Sequence, residues 1–161
     1  MNPTDNGAHW QRPVPDEAAL AVLATVFARW VQAPLVIFLI GDLGAGKTTF
    51  ARAFIQALGY SGYVKSPSYG LLESYLVAGK SILHLDLYRI EDPEELEYLA
   101  LRDLYDNQAV LLVEWPDKGA KLLPLADLEL RFTELGESRF IECCALSAAG
   151  EKLSKAVLQS L

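Results

Sequence analysis

The sequence reads Leu35-Val36-Ile37-Phe38-Leu39-Ile40 and continues directly as Gly41-Asp42-Leu43-Gly44-Ala45-Gly46-Lys47-Thr48. The first six residues are apolar and predict a buried strand, and the next eight match the phosphate-binding loop pattern G-x-x-x-x-G-K-[ST]. The run from Thr48 to Leu58 predicts a helix that begins at the loop. A strand, a glycine-rich loop and a helix in this order predict binding of a nucleoside triphosphate with Mg²⁺.

The loop residues each have a physical reason to stand where they do. Gly44 and Gly46, with one small residue between them, leave backbone N–H groups free to wrap a phosphate. Lys47 is predicted to reach the β- and γ-phosphates, and the Thr48 hydroxyl is a hard oxygen ligand suited to Mg²⁺. Thr49 offers a second hydroxyl near the phosphates. The competing interpretation is a glycine turn that binds no ligand.

The length of 161 residues predicts one domain over 1–161. No apolar run approaches the roughly eighteen residues of a membrane span. The segment Met1–Asp5 lacks the basic and then apolar pattern of a leader peptide. We therefore expect a soluble, cytoplasmic protein without a membrane partner. The net charge of −7 argues against a surface that neutralises nucleic-acid phosphates, so any RNA would be held by a partner protein.

The order of apolar patterns and turn residues predicts an α/β fold of the P-loop NTPase type, with three layers and a mixed sheet flanked by helices. The sheet is expected to be mixed because Ala78-Gly79 permits a tight antiparallel hairpin, and a second hairpin is predicted around Gly136. The predicted helices are 16–32, capped by Asp16 and closed at Pro34, then 48–58, 94–99 and 148–160. The predicted strands are 35–40, 69–77, 80–88, 109–113, 127–133 and 138–145.

The two cysteines, Cys143 and Cys144, are adjacent and fall on a predicted strand. Neighbouring residues of a strand point to opposite faces, so the two thiols are not placed to bridge each other or to form a spaced metal site. We expect both to be buried structural thiols.

Two carboxylates follow apolar runs, at the place where P-loop proteins keep an acid for Mg²⁺ or for the attacking water. Glu114 ends Val110-Leu111-Leu112-Val113, and Asp86 ends Ile82-Leu83-His84-Leu85. Either acid is a candidate magnesium ligand or nucleophile-positioning group, and a structural ion pair is the alternative for each. The sequence pattern does not rank them.

Three nearby features are candidates for supporting roles. His84 shares a strand face with Asp86 and is either a general base or, as we favour, a core or supporting histidine. Arg89 is placed either to reach a phosphate or the acids, or to act as a structural partner. Ser66-Pro67-Ser68 lies about twenty residues beyond Lys47, where P-loop proteins often keep a switch that senses the γ-phosphate, although an ordinary Ser-Pro turn also fits.

Taken together, these motifs resemble the bacterial TsaE family, formerly called YjeE, over roughly Pro15 to Arg139. The ordered set is specific to that family, although the loop alone is common to many proteins. The segments that carry the resemblance are Gly41-Asp42-Leu43-Gly44-Ala45-Gly46-Lys47-Thr48-Thr49, Val64-Lys65-Ser66-Pro67-Ser68-Tyr69, His84-Leu85-Asp86-Leu87-Tyr88-Arg89, Asp92-Pro93-Glu94-Glu95-Leu96 and Val113-Glu114-Trp115-Pro116.

The resemblance implies a P-loop ATPase required for threonylcarbamoyladenosine modification of tRNA. Such a protein binds ATP and Mg²⁺, hydrolyses ATP weakly alone, and acts on a complex of TsaB and TsaD, so that tRNA is met only through the complex. It further implies that Thr48 and Glu114 hold Mg²⁺ and that Asp86 lies near the γ-phosphate or its attacking water. The predicted catalytic residues are Lys47, Asp86 and Glu114, and the predicted switch is the loop from Ser66 to Tyr69.

Two further positions are expected near the nucleotide. The resemblance places Trp115 beside the nucleotide or the partner surface, whereas the residue type alone is equally consistent with a half-buried packing tryptophan. It also implies an arginine from the last hairpin, either Arg131 or, with a weak preference, Arg139. The chain departs from the family pattern in having Ser68 and Gly70 where threonines are usual, and in lacking a threonine in 16–24. No nucleotide contact is therefore predicted from the first helix.

Two other functions share the loop. A small-molecule kinase commonly carries an arginine-bearing lid, and the sequence has no arginine between Arg102 and Arg131, which argues against one. A nucleotide-gated docking module without significant turnover is closer to the favoured function. The residues alone do not establish adenine over guanine, but the sequence has no Asn-Lys-x-Asp segment of the kind that reads guanine.

Overall fold

The computed structural model describes residues 5–99 and 101–161. Residues 1–4, which open the segment considered above for a leader peptide, lie outside the described residues. No helix in the two described ranges is long and apolar enough to cross a membrane. The strands are β1 (His9–Pro13), β2 (Leu35–Gly41), β3 (Leu72–Val77), β4 (Lys80–Asp86), β5 (Ala109–Glu114), β6 (Leu128–Leu135) and β7 (Ser138–Ala145). The α-helices are α1 (Glu17–Trp30), α2 (Lys47–Ala57), α3 (Leu101–Leu104) and α4 (Ala148–Gln159).

The seven strands form one mixed sheet in the order β1-β7-β6-β2-β5-β4-β3. The central strands β6, β2, β5 and β4 are parallel to one another, and antiparallel pairs close both ends. The predicted α/β class and mixed sheet are therefore confirmed. The parallel centre matters for function, because the carboxyl ends of β2, β5 and β4 meet at one edge of the sheet.

Apolar side chains cover both faces of the sheet and give the predicted three layers. On one face, α1, α2 and α4 pack on the sheet around a fully buried aromatic group of Trp10, Phe27, Phe50 and Phe54. On the other face, the 3₁₀ helix Pro93–Leu99, α3 and the segment near Leu123 cover the central strands β2, β5 and β4. The three central strands are buried on both faces, as expected for continuous apolar runs.

The strand β1 was missed by the sequence patterns. It is only five residues long and includes Pro13, which lacks a backbone donor and is tolerated because β1 is an edge strand. Trp10 anchors it: the indole is fully buried, and its Nε1 donates to Ser154 Oγ of α4 at 3.0 Å. A short edge strand with one large anchor has too few alternating residues to be recognised by period.

Several predicted boundaries need correction. The strand predicted from residue 69 begins at Leu72, because a turn closed by Leu71 N donating to Pro67 O occupies the preceding residues. The strand predicted to residue 88 ends at Asp86, and the helix predicted at 94–99 is a 3₁₀ helix. The first helix ends at Trp30, two residues early, while Asp16 caps it as predicted by accepting from Ala19 N at 2.8 Å.

The prediction for the thiols holds for one of them. Cys143 is buried among the helix-side apolar residues, and burial raises its pKa to about 12. Cys144 points to the other face of the sheet and is partly exposed, so the prediction that it is buried is wrong. The sequence could place the two on opposite faces but not show how far the outer face of β7 is exposed.

Candidate functional site

The predicted phosphate-binding loop joins the end of β2 to the start of α2, as the sequence indicates. Gly44 and Gly46 have φ angles of 81° and 108°, a backbone region that glycine adopts readily. Among the described residues no side chain caps the amino terminus of α2, so its first N–H groups and its positive dipole end remain available to an anion. This local geometry suits the binding of a phosphate group.

Glycine is also required at this loop for close packing. A Cβ on Gly46 would lie 3.0 Å from Leu20 Cδ2 of α1, and one on Gly41 would lie 2.8 Å from the carbonyl oxygen of Phe132 on β6. The loop is therefore pressed between α1 and β6. The first helix, from which no nucleotide contact was predicted, supports the loop directly.

Lys47 is the buried cation of the site. Only 4% of the residue is exposed, and its Nζ donates to the carbonyl oxygens of Gly41 and Asp42, the latter at 2.8 Å. Burial lowers the pKa of Lys47, while the charges of Glu114, Asp86 and Asp42 act in the opposite direction. The ammonium group also lies 4.3 Å from the centre of the Trp115 ring. A cation held by carbonyls and an aromatic face is well placed to bind an incoming anion.

The two candidate carboxylates lie side by side. Asp86 and Glu114 are the last residues of β4 and β5, and they are directly paired in the parallel register of these strands. On its other side β5 pairs with β2, and there Glu114 is the register partner of Leu39, two residues before Gly41. The sequence placed both acids at strand ends, and the sheet brings both ends to the loop.

Glu114 is linked to the loop and to the strand beside it. The Thr48 hydroxyl donates to the Glu114 carboxylate at 2.8 and 3.0 Å from its two oxygens. His84 Nε2 lies 2.7 Å from Glu114 Oε2, with both side chains buried. Within the described residues His84 Nδ1 has no hydrogen-bond partner, which favours the tautomer with its proton on Nε2, donating to the carboxylate. His84 therefore contacts an acid of the site, as the supporting role predicts.

Asp86 is linked to the predicted switch loop instead. Ser68 Oγ donates to Asp86 Oδ2 at 3.2 Å, and the backbone N–H of Tyr88 donates to Oδ1 at 3.0 Å. Ser66 and Ser68 share a further hydrogen bond of 2.7 Å between their hydroxyls. The sequence left the two acids unranked, and the structure gives them different partners: Glu114 contacts the loop threonine, and Asp86 contacts the serine loop.

Lys47, Thr48, Ser68, Asp86 and Glu114 border one cavity of about 200 Å³. Its walls combine N–H groups and an ammonium with the hard oxygens of Thr48, Asp86 and Glu114, a donor set that suits a polyphosphate and Mg²⁺. The predicted site residues that line it are Leu43, Gly44, Gly46, Lys47, Thr48, Thr49, Ser68, Asp86, Glu114, Trp115 and Arg139.

Some predicted residues stand back from the cavity. Tyr69 is 86% exposed, and the Arg89 guanidinium lies over its ring at 4.7 Å. Arg131 pairs with Glu129 at 2.9 Å and borders a neighbouring pocket with Gly41 and Asp42, so of the two candidate arginines Arg139 is the one that lines the cavity. Ser66 and Pro67 are not among the lining residues, but they precede Ser68, which is. Gly41, Asp42 and Ala45 belong to the phosphate-binding loop without lining the cavity.

Two cavity residues were missed, Glu17 and Leu20, both from α1. Asp16 marks the start of this helix in the sequence, and that start lies at the cavity. The sequence therefore indicated where this helix begins, but it did not indicate that the beginning of the helix lies next to the cavity.

We expect His84 to act as a positioning residue for Glu114. In His84→Leu the carboxylate loses its buried donor, and the Mg²⁺ concentration needed for half-maximal ATP turnover should rise about tenfold or more, the usual cost of losing a partner behind a metal ligand. His84→Gln keeps an N–H donor near the Nε2 position and should recover most of that loss. Turnover titrated with Mg²⁺ measures both. An unchanged Mg²⁺ requirement in His84→Leu would contradict this role.

Comparisons with known proteins agree on one family. The family model described as Threonylcarbamoyl adenosine biosynthesis protein TsaE matches residues 14–141. The tRNA threonylcarbamoyladenosine biosynthesis protein TsaE of Haemophilus influenzae is 40% identical over 148 residues, covering 89% of this chain and 94% of the relative. The protein of the same name from Bacillus subtilis is 36% identical over 129 residues, covering 80% and 78%. The crystal structure of Bacillus subtilis YdiB superposes with a TM-score of 0.80 at 26% identity, covering 94% of this chain and 95% of YdiB.

Proposed function

The chain belongs to the TsaE family of threonylcarbamoyl adenosine biosynthesis proteins, and from this we propose that it is the ATP-binding, weakly hydrolysing regulatory subunit of tRNA threonylcarbamoyladenosine modification. It acts on a complex of TsaB and TsaD homologues in the cytoplasm, where its tRNA is. The observation that supports this most is the hydrogen bond from Thr48 to Glu114, which joins the phosphate-binding loop to the acid at the end of β5.

In this proposal the loop and Lys47 bind the triphosphate of ATP. The free N–H groups at the start of α2 face its oxygens, and the Lys47 ammonium exchanges its contacts with the Gly41 and Asp42 carbonyls for contacts with the β- and γ-phosphates. Arg139 and Trp115 stand at the same cavity and help to enclose the nucleotide. Phosphate binding of this kind fixes the position of the γ-phosphate without covalent chemistry.

Thr48 and Glu114 hold Mg²⁺ in this proposal. Their oxygens are hard donors, they already lie within hydrogen-bond distance of each other, and His84 fixes the orientation of the carboxylate. When bound, Mg²⁺ neutralises charge on the phosphate oxygens.

Asp86 and the Ser66–Tyr69 loop form the nucleotide-sensing part. Asp86 is held by Ser68 and by the Tyr88 amide, so an attacking water beside it competes with Ser68 for the carboxylate, and a γ-phosphate competes with the carboxylate for the Ser68 hydroxyl. The loop that carries Ser68 also carries the exposed Tyr69. A movement of Ser68 at the cavity would therefore also move a side chain on the molecular surface. ATP and ADP would then favour different loop arrangements, which is what a switch requires.

Partner proteins supply the contact with tRNA. The net charge of −7 does not favour direct binding of a polyanion, so the chain meets tRNA only through the complex. The modification chemistry belongs to TsaD, and ATP turnover on this chain regulates its cycle.

The test is the ATP hydrolysis rate of the purified chain, alone and with a TsaB–TsaD complex added. We expect a slow rate alone and a clear rise with the partners, since the switch loop is completed by contact with them. Lys47→Ala with and without the partners is the blank. Tight ATP binding without any rise would contradict the regulatory ATPase and favour the docking module or the kinase.

A further inference from the structure

The outer strands of the sheet carry a second cluster of reactive side chains, none of which is among the residues that line the cavity. Along β1 and β7, residues whose side chains face the helices alternate with residues that face the other way. We call the latter, with their neighbours on β6, the outer polar face. Its members are His9, Gln11, Glu129, Arg131, Glu142 and Cys144. These side chains are partly or fully exposed to solvent.

Three of these side chains converge. His9 and Cys144 are direct partners in the antiparallel register of β1 and β7, and Glu142 is two residues from Cys144 on the same strand face. His9 Nε2 lies 2.6 Å from Glu142 Oε1, and that oxygen lies 3.9 Å from Cys144 Sγ. All three ligand atoms lie within 4.8 Å of one another. In the part of the chain that the structure describes, these are the three His, Cys, Asp or Glu side chains whose ligand atoms come this close together.

We propose that His9, Glu142 and Cys144 bind a zinc ion. Imidazole nitrogen, thiolate sulfur and carboxylate oxygen are the three ligand types that zinc uses in proteins, at about 2.0 to 2.3 Å. Two ligands of a tetrahedral ion at those distances stand roughly 3.3 to 3.6 Å apart. The observed separations of 2.6 and 3.9 Å fall on either side of this value, so small side-chain rotations complete the site.

The surroundings fit a divalent cation. Glu129 and Arg131 face the cluster from β6, and they are paired with each other at 2.9 Å. Their charges cancel, which leaves the Glu142 carboxylate and the Cys144 thiolate to neutralise the ion. The His9 and Glu142 side chains are 42% and 32% exposed, so an ion and its remaining water ligand have access from solvent. The mixture of sulfur and nitrogen ligands favours zinc over Mg²⁺, which prefers oxygen.

The consequence is a cross-link at the edge of the fold. One ligand comes from β1 and two from β7, so zinc ties the five-residue amino-terminal strand to the sheet. This role is independent of nucleotide binding and of the proposed function.

The experiment measures zinc binding to the metal-stripped chain in the presence of excess Mg²⁺, by calorimetry and thermal denaturation. We expect about one Zn²⁺ per chain and a higher melting temperature when zinc is bound. Cys144→Ser and His9→Gln should each weaken zinc binding by at least about tenfold. Removing a residue that only hydrogen-bonds a metal ligand already lowers metal affinity by about that factor, and we expect the loss of a ligand itself to cost no less. Co²⁺ should give a thiolate-to-cobalt absorption band in the wild type that is lost in Cys144→Ser.

Gln11→Ala is the matched control, since Gln11 lies on the same face of β1 opposite Glu142 but supplies no ligand of the proposed set. It should bind zinc like the wild type. Cys144→Ser leaves Cys143, His84, Asp86 and Glu114 in place, so a loss in that variant excludes binding at the cavity. Circular dichroism of the metal-free variants checks that they fold. Unchanged zinc binding in Cys144→Ser, or a cobalt complex without the thiolate band, would overturn the proposal.

Discussion

Lys47→Ala should abolish ATP binding at ordinary nucleotide concentrations and reduce hydrolysis by about 10²- to 10³-fold, the range seen when one preorganised donor to a developing charge is removed. The effect is large because Lys47 is the cation buried in the wall of the cavity, within reach of the loop carbonyls. Its loss leaves Asp42, Asp86 and Glu114 to repel the phosphates without compensation. A fluorescent ATP analogue titrated with and without Mg²⁺ measures binding, and phosphate release measures turnover.

Lys80→Ala is the matched control for this experiment. Lys80 begins β4 at the end of the strand opposite Asp86, so its removal changes the net charge equally without touching the cavity. It should leave nucleotide affinity unchanged. Equal losses in both variants would point to a general charge effect, and full ATP binding by Lys47→Ala would show that Lys47 does not hold the phosphates.

The phosphate-binding loop was predictable because its requirements are local. Gly44, Gly46, Lys47 and Thr48 stand within five residues, and backbone conformation, close approach and charge each select one residue type. The convergence of Asp86 and Glu114 was also predictable in outline, since both end apolar strands and parallel strands meet at one edge. The roles predicted for these residues stay predictions until they are tested.

The features that the sequence did not reveal depend on contacts between distant segments. The sequence supported only a weak preference between Arg131 and Arg139, two residues of one hairpin. Arg139 is the one that lies at the cavity, near the start of α1, since Val14 N donates to its carbonyl oxygen at 2.8 Å. Glu17 reaches the cavity because α1 packs on α2, a contact between helices that periodicity does not specify. Similarly, Asp86 and Glu114 have different partners because the serine loop contacts the end of β4 and the phosphate-binding loop contacts the end of β5.

Glu114→Gln should separate metal-dependent from metal-independent steps. The amide is close to the carboxylate in shape, so Thr48 can still donate to its oxygen, but the charge that Mg²⁺ needs is gone. We expect hydrolysis to fall by about 10²- to 10³-fold, while ATP binding without Mg²⁺ is kept. The same two assays apply, with Mg²⁺ as the variable. In a complementation assay the variant should fail to support tRNA modification.

The same substitution has a second effect, on Lys47. Burial lowers the pKa of this lysine, and Glu114 is the strongest of the charges that oppose the shift. With a neutral residue at 114 the pKa of Lys47 falls further, so its ammonium form is lost at lower pH than in the wild type. The Mg²⁺-independent ATP affinity of Glu114→Gln should therefore decline earlier as the pH is raised into the alkaline range. A decline at the same pH as in the wild type would show that the two groups are not coupled.

Asp86→Asn is the comparison that assigns the two acids. Asp86 contacts Ser68 and the Tyr88 amide, and Thr48 donates to Glu114 instead. Its neutralisation should therefore leave the Mg²⁺ dependence of ATP binding close to that of the wild type, while turnover and its response to the partners fall. If Asp86→Asn instead loses Mg²⁺-dependent binding and Glu114→Gln keeps it, then the metal lies on β4 and the Thr48–Glu114 hydrogen bond is structural. Because Glu114 contacts Thr48 and Asp86 contacts Ser68, a loss of Mg²⁺-dependent binding in only one of the two variants identifies the acid that holds the metal.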